Sequence, residues 1–119
     1  MENTTKNLLT EAGINVESAM NRFLDDEEMY FEFLNDFLED KLINKLEQAV
    51  NSGQVKESFE IAHTLKGVCA NLSIDSLSRI VNPMVEILRS NSLEGVKEAV
   101  SELFVAYDHV SEVIKMYCR

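Results

Sequence analysis

The chain has 119 residues, enough for one domain with a hydrophobic core and too few for two ordinary domains. Its 21 acidic and 11 basic residues give a formal net charge of −10, which counts against nucleic-acid binding, because contact with a phosphate backbone requires Lys and Arg. Four glycines and one proline leave few turns, so we expect an all-α fold.

No apolar run approaches the length of a membrane span, and the N-terminus lacks the basic and apolar regions of a secretion signal. Cys69 and Cys118 form neither a disulfide framework nor a zinc site, and two thiols in an acidic globular chain fit a reducing compartment. We therefore expect a cytoplasmic protein. Cys69 falls on an apolar stripe and should be a small buried hydrophobic residue. Cys118, one residue from the end of the sequence, could be a reactive surface thiol, but an unreactive thiol is the simpler interpretation.

Apolar residues repeat with helical spacing in one short N-terminal stretch and four long stretches. The predicted helical segments cover residues of about 5–23, 26–51, 55–72, 75–90 and 93–117. Asn15 can cap the first segment, Asp25 with Glu28 resembles a capping arrangement at the start of the second, and Gly53 is placed to end it.

The fourth predicted segment has Ser73 or Asp75 as its candidate cap and contains Pro83, where we expect a kink, because proline removes a backbone donor. Four long amphipathic helices joined by short loops pack economically as an antiparallel up-down four-helix bundle. We expect the short N-terminal segment to lie across one end of it, and residues 1–119 to form one domain.

The most informative residues are Ala62-His63-Thr64-Leu65-Lys66-Gly67, on the predicted helix 55–72. His63 is rotated by roughly 130° from the centre of the apolar stripe, so it should face solvent. Lys66 and Gly67, three and four residues further on, lie on the same face. Glycine inside a helix costs about 1 kcal/mol relative to alanine, so Gly67 indicates that something bulky approaches the imidazole. A neutral imidazole is a competent nucleophile, and Lys66 could stabilise a transferred phosphoryl group.

Residues 62–72 closely resemble the phosphoacceptor motif of histidine-containing phosphotransfer (HPt) domains. Residues 13–16 with Arg22-Phe23, and 26–30 through 37–40, also look like the opening helices of that family. The resemblance implies that His63 is the phosphorylated residue, that Lys66 is the neighbouring cation and that Gly67 provides steric access. The chain departs from the family pattern at two positions. By the resemblance, the family usually has Gly at the position of Ser73 and an ordinary helix former at the position of Pro83. The choice of docking partner is therefore less well defined than the transfer chemistry.

The resemblance further implies a phosphorelay role. HPt domains carry phosphoryl groups between receiver-domain aspartates, taking them from a hybrid sensor histidine kinase and delivering them to a response regulator. They are not enzymes, since they have no ATP site of their own. We accordingly expect no cofactor in this chain, Mg²⁺ on the partner receiver, and a monomer with an exposed site. Met1 and the short termini favour a free-standing protein.

Two other functions are considered. A helical module that docks and sequesters a receiver or kinase without transfer is the main alternative, but it could lose His63 or Gly67 freely. Glu60 and His63 also spell Glu-x-x-His, the spacing of di-metal bundles. Such a centre needs a second motif, and His109 follows Ala106 at that spacing, so we reject it and expect His109 to be a surface residue. Glu60 could instead hydrogen-bond the His63 ring, although solvation is the simpler interpretation.

The negative charge is concentrated in one segment. Residues 25–40 contain eight acidic and no basic residues, a local charge of −8, so the other 103 residues sum to −2. Around His63, Lys56 and Lys66 balance Glu57 and Glu60. The predicted phosphoacceptor face is therefore close to neutral and should not repel an acidic receiver pocket strongly.

Overall fold

The periodic stretches form seven α-helices in the computed structural model, which describes residues 1–119. The helices are α1 (Asn3–Glu11), α2 (Val16–Arg22), α3 (Glu27–Asp40), α4 (Leu42–Asn51), α5 (Val55–Asn71), α6 (Asp75–Arg89) and α7 (Val96–Tyr117). The all-α prediction is confirmed, and α5, α6 and α7 begin and end within three residues of their expected bounds. None of the helices combines the length and the apolar character needed to cross a lipid bilayer.

Four of these helices form the bundle. α4 packs on α5 and α7, and α6 packs on α5 and α7, which closes a ring of four. Short connections make consecutive helices antiparallel, so the predicted up-down bundle is confirmed. α1 lies on α2 and α7, and α3 lies on the same two helices. All seven helices contribute to one core cluster of 29 buried residues.

The predicted helix 26–51 is divided at Lys41, which is a correction to the sequence-based prediction. Lys41 has φ 60° and ψ 26°, a left-handed conformation, and it ends α3 and precedes α4. Buried apolar residues continue on both sides of it, with Leu38 before and Ile43 after. The apolar pattern therefore conceals the break, because one left-handed residue interrupts the helical hydrogen bonds without removing a buried side chain.

The N-terminal segment is two helices rather than one, because the chain turns at Gly13 between α1 and α2. Gly13 has φ 96°, and a Cβ there would collide with the side chain of Ser76. The amide of Ser76 donates to the Gly13 carbonyl at 3.0 Å, so this turn is fastened to the start of α6. Asn15 caps α2 as predicted, accepting from the Ser18 amide at 3.0 Å.

The cap of α3 is Asp26 rather than Asp25. Its carboxylate accepts a hydrogen bond from the Met29 amide at 3.0 Å. Asp25 instead has φ 61° and lies in the turn before the helix. The capping pattern favoured Asp25, because Glu28 lies three positions after it, whereas the residue three positions after Asp26 is Met29.

α6 begins without a side-chain cap, so neither Ser73 nor Asp75 has the predicted role. Ile74 precedes the helix, Asp75 is its first residue, and Ser73 is buried with φ 57°. A left-handed backbone favours glycine, which accounts physically for the Gly that the HPt resemblance implies at this position. The Ser73 hydroxyl donates to the Ser18 hydroxyl at 3.1 Å. Pro83 is exposed, and α6 continues through it to Arg89.

Candidate functional site

The orientation of α5 determines what its outer face presents. Gly53, with φ 72°, follows α4 and allows the chain to reverse into α5. Four side chains of α5 are fully buried, at 0% exposure: Ser58, Ala62, Leu65 and Cys69. At its far end, the buried Tyr30 hydroxyl donates to the Leu72 carbonyl at 2.7 Å. This packing fixes α5 on the bundle and directs His63 to solvent, as the sequence predicts.

The predicted site residues lie together on that outer face. His63, Gly67 and Ala70 are exposed, and Lys66 is half-buried. Neither of the two ion pairs in the structure involves Lys66, so its ammonium group is uncommitted. Thr64 directs its hydroxyl back to the Glu60 carbonyl at 3.1 Å, which satisfies it within the helix. The surface around the imidazole thus includes the unpaired ammonium group of Lys66, and the Thr64 hydroxyl does not hydrogen-bond to the His63 ring.

Gly67 lies in the interior of α5 and has open space beside it. A Cβ built on Gly67 would meet no atom within 4 Å. Packing within the chain therefore gives no reason for glycine at this position, although glycine weakens the helix by about 1 kcal/mol relative to alanine. The open space at Gly67 leaves room for another molecule beside His63, which lies four residues earlier on the same helix.

Two interpretations of Glu60 can be compared with the structure. Glu60 is exposed, and its carboxylate makes no hydrogen bond to His63, so solvation is the better description. Nowhere does the chain bring together three or more His, Cys, Asp or Glu side chains in a group that could hold a metal ion. The Glu60-His63 spacing is thus not part of a metal-binding cluster.

Sequence reasoning missed one neighbour of the imidazole and a second residue that contacts that neighbour. The ring of Phe59, which is half-buried, stacks on His63 with centroids 5.7 Å apart and planes inclined by 26°. The guanidinium carbon of Arg89, on α6, lies 5.0 Å from the Phe59 centroid. Phe59 could have been found from its position four residues before His63, the spacing at which helix side chains meet. Arg89 had no such signal, because its position depends on how α5 and α6 pack.

A groove of about 830 Å³ runs beside the C-terminal half of α5. Its lining includes Phe23, Phe33, Val68 and Asn71. Phe33 is 49% exposed, so the groove presents apolar surface to solvent. Three acidic side chains of α3 also line it: Asp36, Glu39 and Asp40. Three of the eight acidic residues in segment 25–40 therefore border this groove.

The remaining titratable candidates lie apart from this site. His109 is exposed on α7, as predicted. Cys69 and Cys118 are both free and fully buried, and burial raises the pKa of each thiol to about 12. The amide of Asn35 donates to the Cys118 carbonyl at 2.6 Å, which holds the end of the chain on α3.

Comparison with known proteins gives one match. A family model described as "Hpt domain" matches residues 22–114. The matched range contains α3 to α6, most of α7 and every candidate site residue. No curated protein sequence and no solved structure matches the chain.

Proposed function

The chain belongs to the Hpt domain family, and on that premise we propose that it is a phosphorelay intermediate of two-component signalling. His63 accepts a phosphoryl group from the aspartate of a receiver domain or hybrid sensor kinase and passes it to the aspartate of a response regulator. The observation that carries this proposal is the exposed His63 imidazole beside open space at Gly67 and an unpaired Lys66.

The transfer step divides its requirements between two proteins. The lone pair of the unprotonated His63 ring nitrogen forms the N–P bond as the P–O bond to the receiver aspartate breaks. The aspartate carboxylate leaves with the electron pair, and the proton on the other ring nitrogen stays in place. Lys66, one helical turn away, stabilises the phosphoryl charge. Delivery to the next aspartate is the same displacement in reverse.

The proposal assigns the metal to the partner. Phosphoryl transfer depends on positioning and on neutralising the charge of the transferred group, which Mg²⁺ commonly supplies. The surroundings of His63 offer no carboxylate cluster for Mg²⁺, so the receiver would bring it to the complex. In this view the chain acts as a monomeric phosphocarrier in the cytoplasm and has no ATP-dependent activity of its own.

Transfer of label from a phosphorylated receiver tests the proposal. Wild-type protein should acquire a phosphoryl group that is lost in acid and survives alkali, as phosphohistidine does. His63→Gln should acquire none, and His109→Gln, which alters the other exposed histidine, should label like wild type. Equal labelling of wild type and His63→Gln contradicts the proposal.

The same assay separates transfer from docking alone. Binding of the receiver is measured independently, for example by calorimetry, with wild type and His63→Gln. A docking-only module would bind the receiver and take no label from any candidate donor. A carrier would bind comparably in both forms and label only when His63 is present.

A further inference from the structure

We propose that Phe59 and Arg89 are positioning residues for the His63 imidazole, so that α6 contributes to a site built on α5. The inference rests on the proposed function, because the ring orientation matters only if His63 attacks phosphorus. Its structural basis is a chain of contacts from Arg89 to Phe59 and from Phe59 to His63. Neither residue belongs to the sequence motif that identifies the site.

The first contact restricts the imidazole. An exposed side chain on a helix normally changes rotamer within picoseconds to nanoseconds. Phe59 lies one turn before His63, and the two rings are nearly parallel, at 26°, with centroids 5.7 Å apart. Aromatic pairs in this offset geometry favour the contact by roughly twofold to tenfold in population beyond their area burial. The Phe59 ring therefore selects one orientation of the nucleophile from those open to an exposed histidine.

The second contact holds Phe59 in turn. The Arg89 guanidinium carbon lies 5.0 Å from the Phe59 centroid, within the range of a cation–π interaction. Arg89 is itself oriented by Glu86, whose carboxylate is 3.4 Å from the Arg89 Nε. Glu86 and Arg89 both lie on α6, and Phe59 is half-buried on α5. The ring thus transmits the packing of α6 to the imidazole.

Orientation has a kinetic consequence for phosphoryl transfer. In-line displacement requires the attacking nitrogen, phosphorus and leaving oxygen to be aligned, and misplacing a reacting group is costly in rate. A ring that already has the reactive orientation loses less conformational freedom when the receiver docks. Loss of the stack should therefore lower the transfer rate within the docked complex and leave receiver affinity nearly unchanged.

Ring-retaining and ring-removing variants test this inference. Phe59→Leu removes the stack and keeps an apolar side chain, and Phe59→Tyr keeps the ring. We expect transfer at saturating receiver to fall about threefold to tenfold in Phe59→Leu and to stay within twofold of wild type in Phe59→Tyr. Phe104→Leu, which alters a half-buried phenylalanine on α7, is the matched control and should transfer normally.

Arg89→Gln should produce a smaller loss, about twofold to threefold, which Arg89→Lys partly restores. Arg79→Gln, an exposed arginine on the same helix, is its control. Transfer at the wild-type rate by Phe59→Leu, or equal losses in Phe59→Leu and Phe59→Tyr, overturns the inference. A loss confined to receiver affinity, with the saturated rate unchanged, also overturns it.

An NMR measurement tests the stacking of Phe59 on His63 independently of phosphoryl transfer. In unphosphorylated protein the His63 ring protons lie near the Phe59 face, so Phe59→Leu should shift their NMR resonances by removing a ring current. Phe59→Tyr should retain the wild-type shifts, and His109 resonances should not move. Unchanged His63 shifts in Phe59→Leu overturn the stack itself. Wild-type protein that takes no label instead overturns the proposed function, whatever the shifts show.

Discussion

The two histidines of this chain occupy comparable positions with opposite surroundings. His63 on α5 and His109 on α7 are both exposed, and both lie in the interior of a long helix. Three residues after His63 stands Lys66, whereas Glu112 stands three residues after His109. Asp108 adds a second carboxylate next to His109 in the sequence. A phosphoryl group on His109 would therefore meet like charges, and one on His63 would meet a cation.

Their steric surroundings differ in the same direction. Four residues after His63 is Gly67, with open space around it, and four residues after His109 is Val113, which is 7% exposed. Four residues before each histidine, Phe59 stacks on the His63 ring, and Val105 offers no ring to His109. Equal exposure thus accompanies different surroundings at the two histidines. The difference between the sites lies in the residues one helical turn away.

Replacing Gly67 by valine, the residue found four positions after His109, should produce the largest loss of transfer rate. Gly67→Val places a branched side chain next to His63, where a docked receiver must approach. We expect transfer to fall roughly fivefold to 100-fold, since overpacking a fitted contact costs about 1–3 kcal/mol. The helix should be as stable as wild type or slightly more so, because valine is a better helix former than glycine. Stopped-flow transfer kinetics and thermal unfolding measure the two quantities.

Gly67→Ala is the graded control for this prediction. A Cβ at Gly67 meets nothing in the free protein, so alanine should stabilise α5 by about 1 kcal/mol. Its effect on transfer should lie between wild type and Gly67→Val. If valine transfers as fast as glycine, the steric difference between the two histidines has no functional meaning.

Replacing Lys66 by glutamate, the residue found three positions after His109, should lower the transfer rate less. Lys66→Glu replaces attraction for the phosphoryl group by repulsion, and a pair of unit charges about 4 Å apart is worth about 1 kcal/mol in water. The lost attraction and the added repulsion together cost about 2 kcal/mol, so we expect roughly a fivefold to thirtyfold loss of transfer rate, diminishing at high salt as the charges are screened. Lys115→Glu, on the exposed face of α7, is the matched control. Equal effects of the two reversals would indicate a response to net charge instead of a local one.

The contrast between the two histidines also marks how far the sequence could lead. Lys66, Gly67 and the outward direction of His63 follow from helical spacing alone, because all of them lie on one helix. Arg89 reaches the site from α6, and only the packing of two helices brings it to Phe59. Contacts within a helix are encoded in residue spacing, whereas contacts between helices are not.

The fold shows the same division. Apolar periodicity predicted the bundle helices and their order, since burial of one face requires a repeat of 3.6 residues. It did not predict the break at Lys41, because the residue with the left-handed conformation is not a glycine and the apolar stripe continues on both sides of it. Nor did it find the true cap among adjacent aspartates, because Asp25 and Asp26 differ in backbone conformation and not in chemistry.

The smallest effects of these substitutions should be on the buried sides of α5 and α7, the two helices that carry the histidines. Cys69 lies on α5 and Cys118 directly follows α7, and both thiols are fully buried. In the native wild-type protein and in both variants, Gly67→Val and Lys66→Glu, neither thiol should react with a small alkylating reagent at pH 8. Both thiols should react once the protein is unfolded in denaturant. Protection lost in a variant would show that its substitution disturbs the core, and its transfer defect would no longer report on the outer face.

Burial of these thiols also makes the stability of the folded protein depend on pH. Burial raises the pKa of both thiols from 9.0 to about 12, so the folded chain holds two protons that the unfolded chain releases above pH 9. Their contribution to stability is complete below pH 9 and declines as pH rises toward 12. Burial raises the pKa of Tyr30 as well, which adds to the decline above pH 10. Urea unfolding between pH 7 and 10.5 should show stability falling above pH 9, in parallel for wild type, Gly67→Val and Lys66→Glu, because neither substitution changes the buried groups that titrate.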